Sequence, residues 1–209
     1  MKIAIIAYHK NIDTLYPAEW IDEYRASVLS HGDYTIYECC YGGAEQRIFT
    51  DSIYEHTTMP TFVDAMNSLL DRAFADGFDA VANTNVDDFY SSDRIERQMS
   101  YIAGGYDIVS ANFALVDNGR RVGTNIFHNR NIRNEIMRGH NIIAHPAVMY
   151  SRRFWEGNRY EPSQIPREDL QLWQRSISKY KFIISPHILL YHRVHDNAVS
   201  KKNQRLCIR

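Results

Sequence analysis

The chain has 209 residues, 44% of them hydrophobic and 23% charged, with 24 basic and 25 acidic side chains giving a net charge of -1. That length fills one sizeable core in one domain. The balanced charge gives no electrostatic case for nucleic acid or an anionic membrane as the main partner. No run reaches the roughly 20 apolar residues of a spanning helix, so no transmembrane segment is expected. Met1-Lys2-Ile3-Ala4-Ile5-Ile6 turns polar too soon for a signal peptide. The adjacent Cys39 and Cys40 do not readily bridge each other, and with Cys207 they make no metal-type spacing. The sequence therefore reads as a reduced, cytoplasmic protein.

In chain order, Lys2 to Ala7 is a continuous aliphatic run and reads as a central strand. Pro17 opens a helix to Ser30 with Trp20, Ile21, Tyr24, Val28 and Leu29 on one side. Tyr34 to Cys40 is a second strand, stopped by Tyr41-Gly42-Gly43. After Pro60, the residues Phe62, Ala65, Met66, Leu69, Leu70, Ala73 and Phe74 recur at helical spacing up to Gly77. Phe78 to Thr84 leads as a strand into Asn85-Val86-Asp87-Asp88. Asp93 and Glu96 form a capping-box pattern for a helix to about Ile102. Tyr106 to Asn112 is another strand, and Asn118-Gly119 marks a hairpin. This β/α alternation predicts an α/β fold, a mostly parallel sheet covered on both faces. The second half is less regular, with a helix opening at Pro166 and carrying Leu170, Trp173 and Ile177.

Four constellations bear on chemistry. Ligands of open α/β sheets sit outside the carboxyl ends of strands. Asp87 and Asp88 are placed there, and Mg²⁺ or Mn²⁺ takes one or two carboxylates together with substrate phosphates. The same pair also fits a solvated turn before a helix. One acid of Pro166-Arg167-Glu168-Asp169 can accept a proton from a hydroxyl; both also fit first-turn acids that complement a helix dipole. In Tyr191-His192-Arg193-Val194-His195 a histidine can ligate a metal and Arg193 can bind phosphate, or these are surface groups. His140 and His145 lack the Cys or carboxylate partners of a structural zinc site. The chain has no GxGxxG, no GxxxxGK[ST] and no GxSxG, which argues against a dinucleotide enzyme, a P-loop ATPase and an α/β-hydrolase.

The order of these pieces resembles a family 2, GT-A-type glycosyltransferase. The matching stretches are Ala26-Ser27-Val28-Leu29-Ser30-His31, Ala65-Met66-Asn67 through Ala73, Asn85-Val86-Asp87-Asp88, Arg94-Ile95-Glu96-Arg97-Gln98, Asn141-Ile142-Ile143-Ala144-His145-Pro146-Ala147-Val148-Met149, Glu168-Asp169-Leu170-Gln171-Leu172-Trp173, and Tyr191-His192-Arg193-Val194-His195 with Ser200. The resemblance implies one Rossmann-like GT-A domain over 1–209, with a nucleotide-sugar half at 1–90 and an acceptor and catalytic-base half at 91–209. It implies a cytoplasmic, metal-dependent hexosyl- or deoxyhexosyltransferase using Mn²⁺ or Mg²⁺. The donor would be a nucleoside diphosphate sugar, with a UDP-sugar favoured, and the acceptor a hydroxyl of a glycan or other molecule. It places Asp87, Asp88 and His195 at the metal, with His192 as the substitute. Asp169, beside Glu168, would be the base. Ala7, Tyr8, His9, Asn67, Asn85, Asp87 and Arg193 would lie at the nucleotide sugar, as would, less directly, Glu38 to Gly43. Three departures stand out: Asn85 replaces the first Asp of the DxD pattern, no Asp ends the second strand, and no basic residue precedes the Ala-x-Asn helix. A sugar nucleotidyltransferase, or a nucleotide-sugar-binding module without turnover, is the alternative.

Overall fold

The computed structural model describes residues 1–195; Ser200 and Cys207 lie outside the described residues. The elements run β1 (Ile3–His9), α1 (Ile12–Leu15), α2 (Ala18–Leu29), β2 (Thr35–Cys40), β3 (Ile53–His56), α3 (Phe62–Ala75), β4 (Ala80–Thr84), β5 (Phe89–Tyr90) and α4 (Arg94–Ala103). There follow β6 (Ile108–Asp117), β7 (Arg120–Asn125), α5 (Ile132–Met137), β8 (Met149–Ser151), α6 (Arg152–Glu156), α7 (Glu168–Ser176) and β9 (Phe182–Arg193). One mixed sheet carries them in the order β3-β2-β1-β4-β8-β6-β9-β5, with β7 paired on β6.

The first half is parallel from β3 to β4. All seven residues of β1 are buried, as a strand covered on both faces requires. Ile3, Ile5 and Ala7 pack on Tyr24 and Val28 of α2. Ala4, Ile6 and Tyr8 pack on Val63, Met66, Leu69 and Leu70 of α3. Thr61 and Asp64 close a reciprocal capping box at the start of α3. The apolar face expected for α2 is narrower than its sequence pattern: Tyr24 and Val28 are buried, but Leu29, the last residue of the helix, is 54% exposed.

The second half departs more from expectation. Asp93 does not cap α4; its backbone is not extended as a capping residue requires, and its carboxylate takes the Ser91 hydroxyl and Arg97 instead. The strand expected to end at Asn112 continues to Asp117, because the Asn118-Gly119 turn, both residues at positive φ, pairs it with β7. Antiparallel β8 is inserted between β4 and β6. Among the described residues, no helix is long and apolar enough to cross a membrane.

Candidate active site

The acidic run forms the turn from β4 to β5, and buried polar groups fix its shape. The Asn85 amide donates to the Tyr90 hydroxyl at 2.7 Å. The Tyr90 ring lies under the guanidinium of Arg94, 4.4 Å from its centroid. Arg94 is wholly buried and donates to the Asn83 carbonyl at 2.7 Å and to Gln98 at 2.9 Å. Gln98 in turn donates to the carbonyls of Val109 and Ala147. The Arg-Ile-Glu-Arg-Gln stretch is thus a clamp joining the acidic turn, β6 and the 3₁₀ turn His145–Ala147.

The two aspartates have different surroundings. Asp88, expected at the metal, is wholly buried beneath the turn. Its Oδ1 takes the Arg193 amide at 3.1 Å and lies 2.8 Å from His192 Nδ1. Its proximity pushes the His192 imidazole up to about 9. Asp87 faces the cleft, and its Oδ2 lies 3.1 Å from His195 Nε2. The His195 ring stands edge-on to Tyr16 and Trp20, and its Nδ1 is buried without a partner among the described residues.

That cleft measures about 380 Å³. Tyr8, Lys10, Tyr16, Tyr41 and Phe62 line it from the first half of the chain, with the rings of Tyr8 and Phe62 stacked at 6.4 Å. Asn85, Asp87 and His192 lie at its floor. Asn141, His145, Pro146, Glu168 and Asp169 face it from the later half. Tyr8 donates to Asn85 Oδ1 at 3.1 Å. Burial holds the His145 imidazole below its usual range, and its Nε2 meets no partner among the described residues.

Asp87, Asn85, Tyr8, His9, Glu168 and Asp169 therefore border one space, with His195 joined to them through Asp87. The other expected contacts lie elsewhere. Asn67 faces away from the cleft, its amide exchanging two hydrogen bonds with the Tyr160 backbone. Arg193, expected at phosphate, is buried, with its guanidinium on Glu23 and the Asp87 carbonyl and between the rings of Trp20 and Phe89. Ala7 is wholly buried in the sheet. Glu38 accepts from His9, from the amides of Ile48 and Phe49 and from the Ser52 hydroxyl. It folds the loop beyond β2, and of Glu38 to Gly43 only Tyr41 reaches the cleft. Lys10, Tyr16, Phe62 and Asn141, which carry no site motif in the sequence, also line the cleft; the place of Lys10 directly after β1 is the one signal the sequence holds for any of them.

Among the described residues, no group of three or more His, Cys, Asp or Glu side chains is arranged to hold a metal. Asp87 with His195 supplies one carboxylate and one imidazole. That donor set is too small for a metal held by protein alone. It fits a cation that completes its shell with substrate phosphates.

No protein-family model matches the chain, and no curated protein matches it in sequence. Solved structures do match in shape. TarS 1–349 of S. aureus in complex with UDP-GlcNAc is 14% identical over 96% of this chain and 61% of that one, with a TM-score of 0.71. The mannosyltransferase PcManGT from Pyrobaculum calidifontis, in complex with GDP-Man and Mn²⁺, is 14% identical over 98% of this chain and 60% of that one, with a TM-score of 0.68. The chain has a GT-A-type, Rossmann-like fold. It spans about three-fifths of the length of these neighbours. In the GT-A frame its cleft opens at the carboxyl ends of β1 and β4, where such sheets take ligands.

Proposed function

We propose that the protein is a metal-dependent glycosyltransferase that moves a sugar from a nucleoside diphosphate sugar, with a UDP-sugar favoured, to an acceptor hydroxyl with inversion. One observation carries this reading: Asp87 at the end of β4 and the Glu168–Asp169 pair at the start of α7 open onto a single cleft. The ligands of the structural neighbours, UDP-GlcNAc in one and GDP-Man with Mn²⁺ in another, support it.

The aromatic wall of Tyr8, Tyr16 and Tyr41 receives the nucleoside, with Lys10 at its mouth. Asp87 and His195 would hold Mn²⁺ or Mg²⁺ together with the two phosphates. When bound, that cation supplies Lewis-acid stabilisation of the charge on the leaving diphosphate. The donor sugar then lies between the acidic turn and α7. The acceptor hydroxyl approaches the anomeric carbon from the α7 side, opposite the leaving group, and one of the two carboxylates there takes its proton. Displacement from the far side inverts the anomeric centre. A sugar nucleotidyltransferase is less well supported, because Lys10-Asn11 after β1 supplies no glycine-rich loop for a triphosphate.

A thermal-shift series with UDP, GDP, CDP and TDP, each with and without Mn²⁺, tests the donor site. Ligand at about 100 times its Kd stabilises the folded state by about 2.7 kcal/mol. The expected result is one nucleotide with a clear Mn²⁺-dependent rise in Tm, and loss of that dependence in Asp87→Ala. A Tm that ignores all four nucleotides, or an Asp87→Ala variant that keeps the full Mn²⁺ response, would overturn the reading.

A further inference from the structure

The two acids at the start of α7 are chemically unequal. Asp169 has both carboxylate oxygens engaged by the protein. Its Oδ2 accepts from Asn141 Nδ2 at 2.5 Å, and its Oδ1 accepts from the Leu170 amide at 2.6 Å. Glu168 is only 7% exposed, and its Oε2 is buried with no donor in reach among the described residues. A buried acceptor oxygen without a donor is unfavourable unless a ligand supplies one. An acceptor hydroxyl entering the cleft carries such a donor.

We propose that Glu168 removes the acceptor proton and that Asp169 is a positioning residue that ties the first turn of α7 to Asn141. This rests on the transferase reading and divides the labour within its acid pair, reversing the roles expected from the family resemblance. As the acceptor oxygen bonds to the anomeric carbon, its proton passes to Glu168. The bond from that carbon to the diphosphate breaks, and its electron pair leaves with the nucleoside diphosphate. Glu168, now a carboxylic acid, returns the proton to solvent after the product departs.

The environment of Glu168 suits this step. Tyr8 from β1, His145 and Asn141 from the 141–147 segment, His192 from β9 and Asp87 from the acidic turn share its cleft. The Arg167 guanidinium points instead toward Gly139. Burial, reinforced by the Asp169 charge, pushes the Glu168 carboxyl up to about 7. A base works best with a pKa near the working pH.

The test follows release of UDP from UDP-GlcNAc and of GDP from GDP-mannose, with Mn²⁺ and water as acceptor, from about pH 5 to about pH 9. Glu168 must be ionised to act, so the wild-type rate should fall about tenfold per pH unit below about 7. Glu168→Gln should lose about 10²–10⁴-fold and the acid limb with it. Asp169→Asn should stay within about tenfold of wild type. Its limb should move to lower pH, because a negative charge that disfavours ionisation of Glu168 is gone. The assignment is overturned if Asp169→Asn abolishes release while Glu168→Gln keeps the limb. It is also overturned, whatever the variants do, if the wild-type rate stays level from about pH 7 down to about pH 5, as an ordinary glutamate near about 4.3 would keep it. A wild type that releases neither nucleotide, with folding verified by a cooperative melt, removes the transferase reading and this assignment with it.

Discussion

The two halves of the sheet are held together by different forces. From β3 to β4 the strands are parallel and sandwiched between α2 and α3, and aliphatic side chains do the packing. From β8 to β5 the strands range from two to twelve residues and are mixed in direction, and to their apolar packing they add ties from side chains that bond to backbone. Asp107 accepts from the Ser151 hydroxyl, the Arg153 guanidinium and the Lys181 amide, joining β6, β8 and β9 at one point. Gln98, Asn112 and Asn129 make comparable ties. A three-residue strand such as β8 buries too few side chains to hold its place by apolar packing alone. The half from β3 to β4 is therefore an apolar platform, and in the later half polar ties supplement the apolar core around Glu168 and His145.

If that contrast is right, the largest single effect should come from the apolar half. Leu69 is wholly buried between β1 and the rest of the α3 face. Leu69→Ala should lower stability by about 2–5 kcal/mol, read as a shifted urea midpoint. A loss below about 1 kcal/mol would mean that the platform repacks freely and that the comparison is misdrawn.

Asp107→Asn should come next, with a loss of about 1–3 kcal/mol near neutral pH. An amide keeps one acceptor oxygen but turns an N–H toward Arg153 or Lys181. Burial opposes the charged form of Asp107, but the Arg153 guanidinium, the Lys181 amide and the Ser151 hydroxyl outweigh it and hold the carboxyl below its usual range. A carboxyl depressed by folding stabilises fully above its unfolded value of about 3.9 and loses that contribution as pH falls through its folded value. The gap between wild type and Asp107→Asn should therefore be full at neutral pH and shrink below about pH 4. Denaturant titrations at both pH values check this; a gap that widens in acid contradicts the assigned role.

The same contrast explains what could be read from the sequence. The strand Lys2 to Ala7 and the helix from Phe62 carry unbroken or helical apolar periods, and both stand where those periods put them. The acidic turn is legible because the apolar strand that leads into it is. Polar ties have no period: nothing in the sequence around Asp107, Asn112 or Asn129 points to partners more than 40 residues away. Asn67 and Arg193, expected at the nucleotide sugar, show the same blindness to distant partners. Each is a polar residue of a type that binds ligands, and each has its polar atoms engaged inside the protein.

The smallest expected effect concerns Asn129, and it tests whether such ties act locally. The short β5 pairs with only Tyr191 and Leu190, so among the described residues no strand pairs with the earlier part of that edge of β9. The Asn129 side chain covers part of it, donating to the Ile184 carbonyl at 2.9 Å and accepting from the Ile184 amide at 2.7 Å. It does there what a neighbouring peptide would do in a longer strand. Asn129→Ala removes both bonds, yet water can replace them at an edge, so the global loss should be only about 1 kcal/mol. The signature should be local instead: faster hydrogen exchange at the Ile184 amide, with the amides of β1 unchanged. If Ile184 keeps its protection, the edge is covered by something other than Asn129. If β1 loosens as well, the two halves share one cooperative network and the distinction between platform and ties fails.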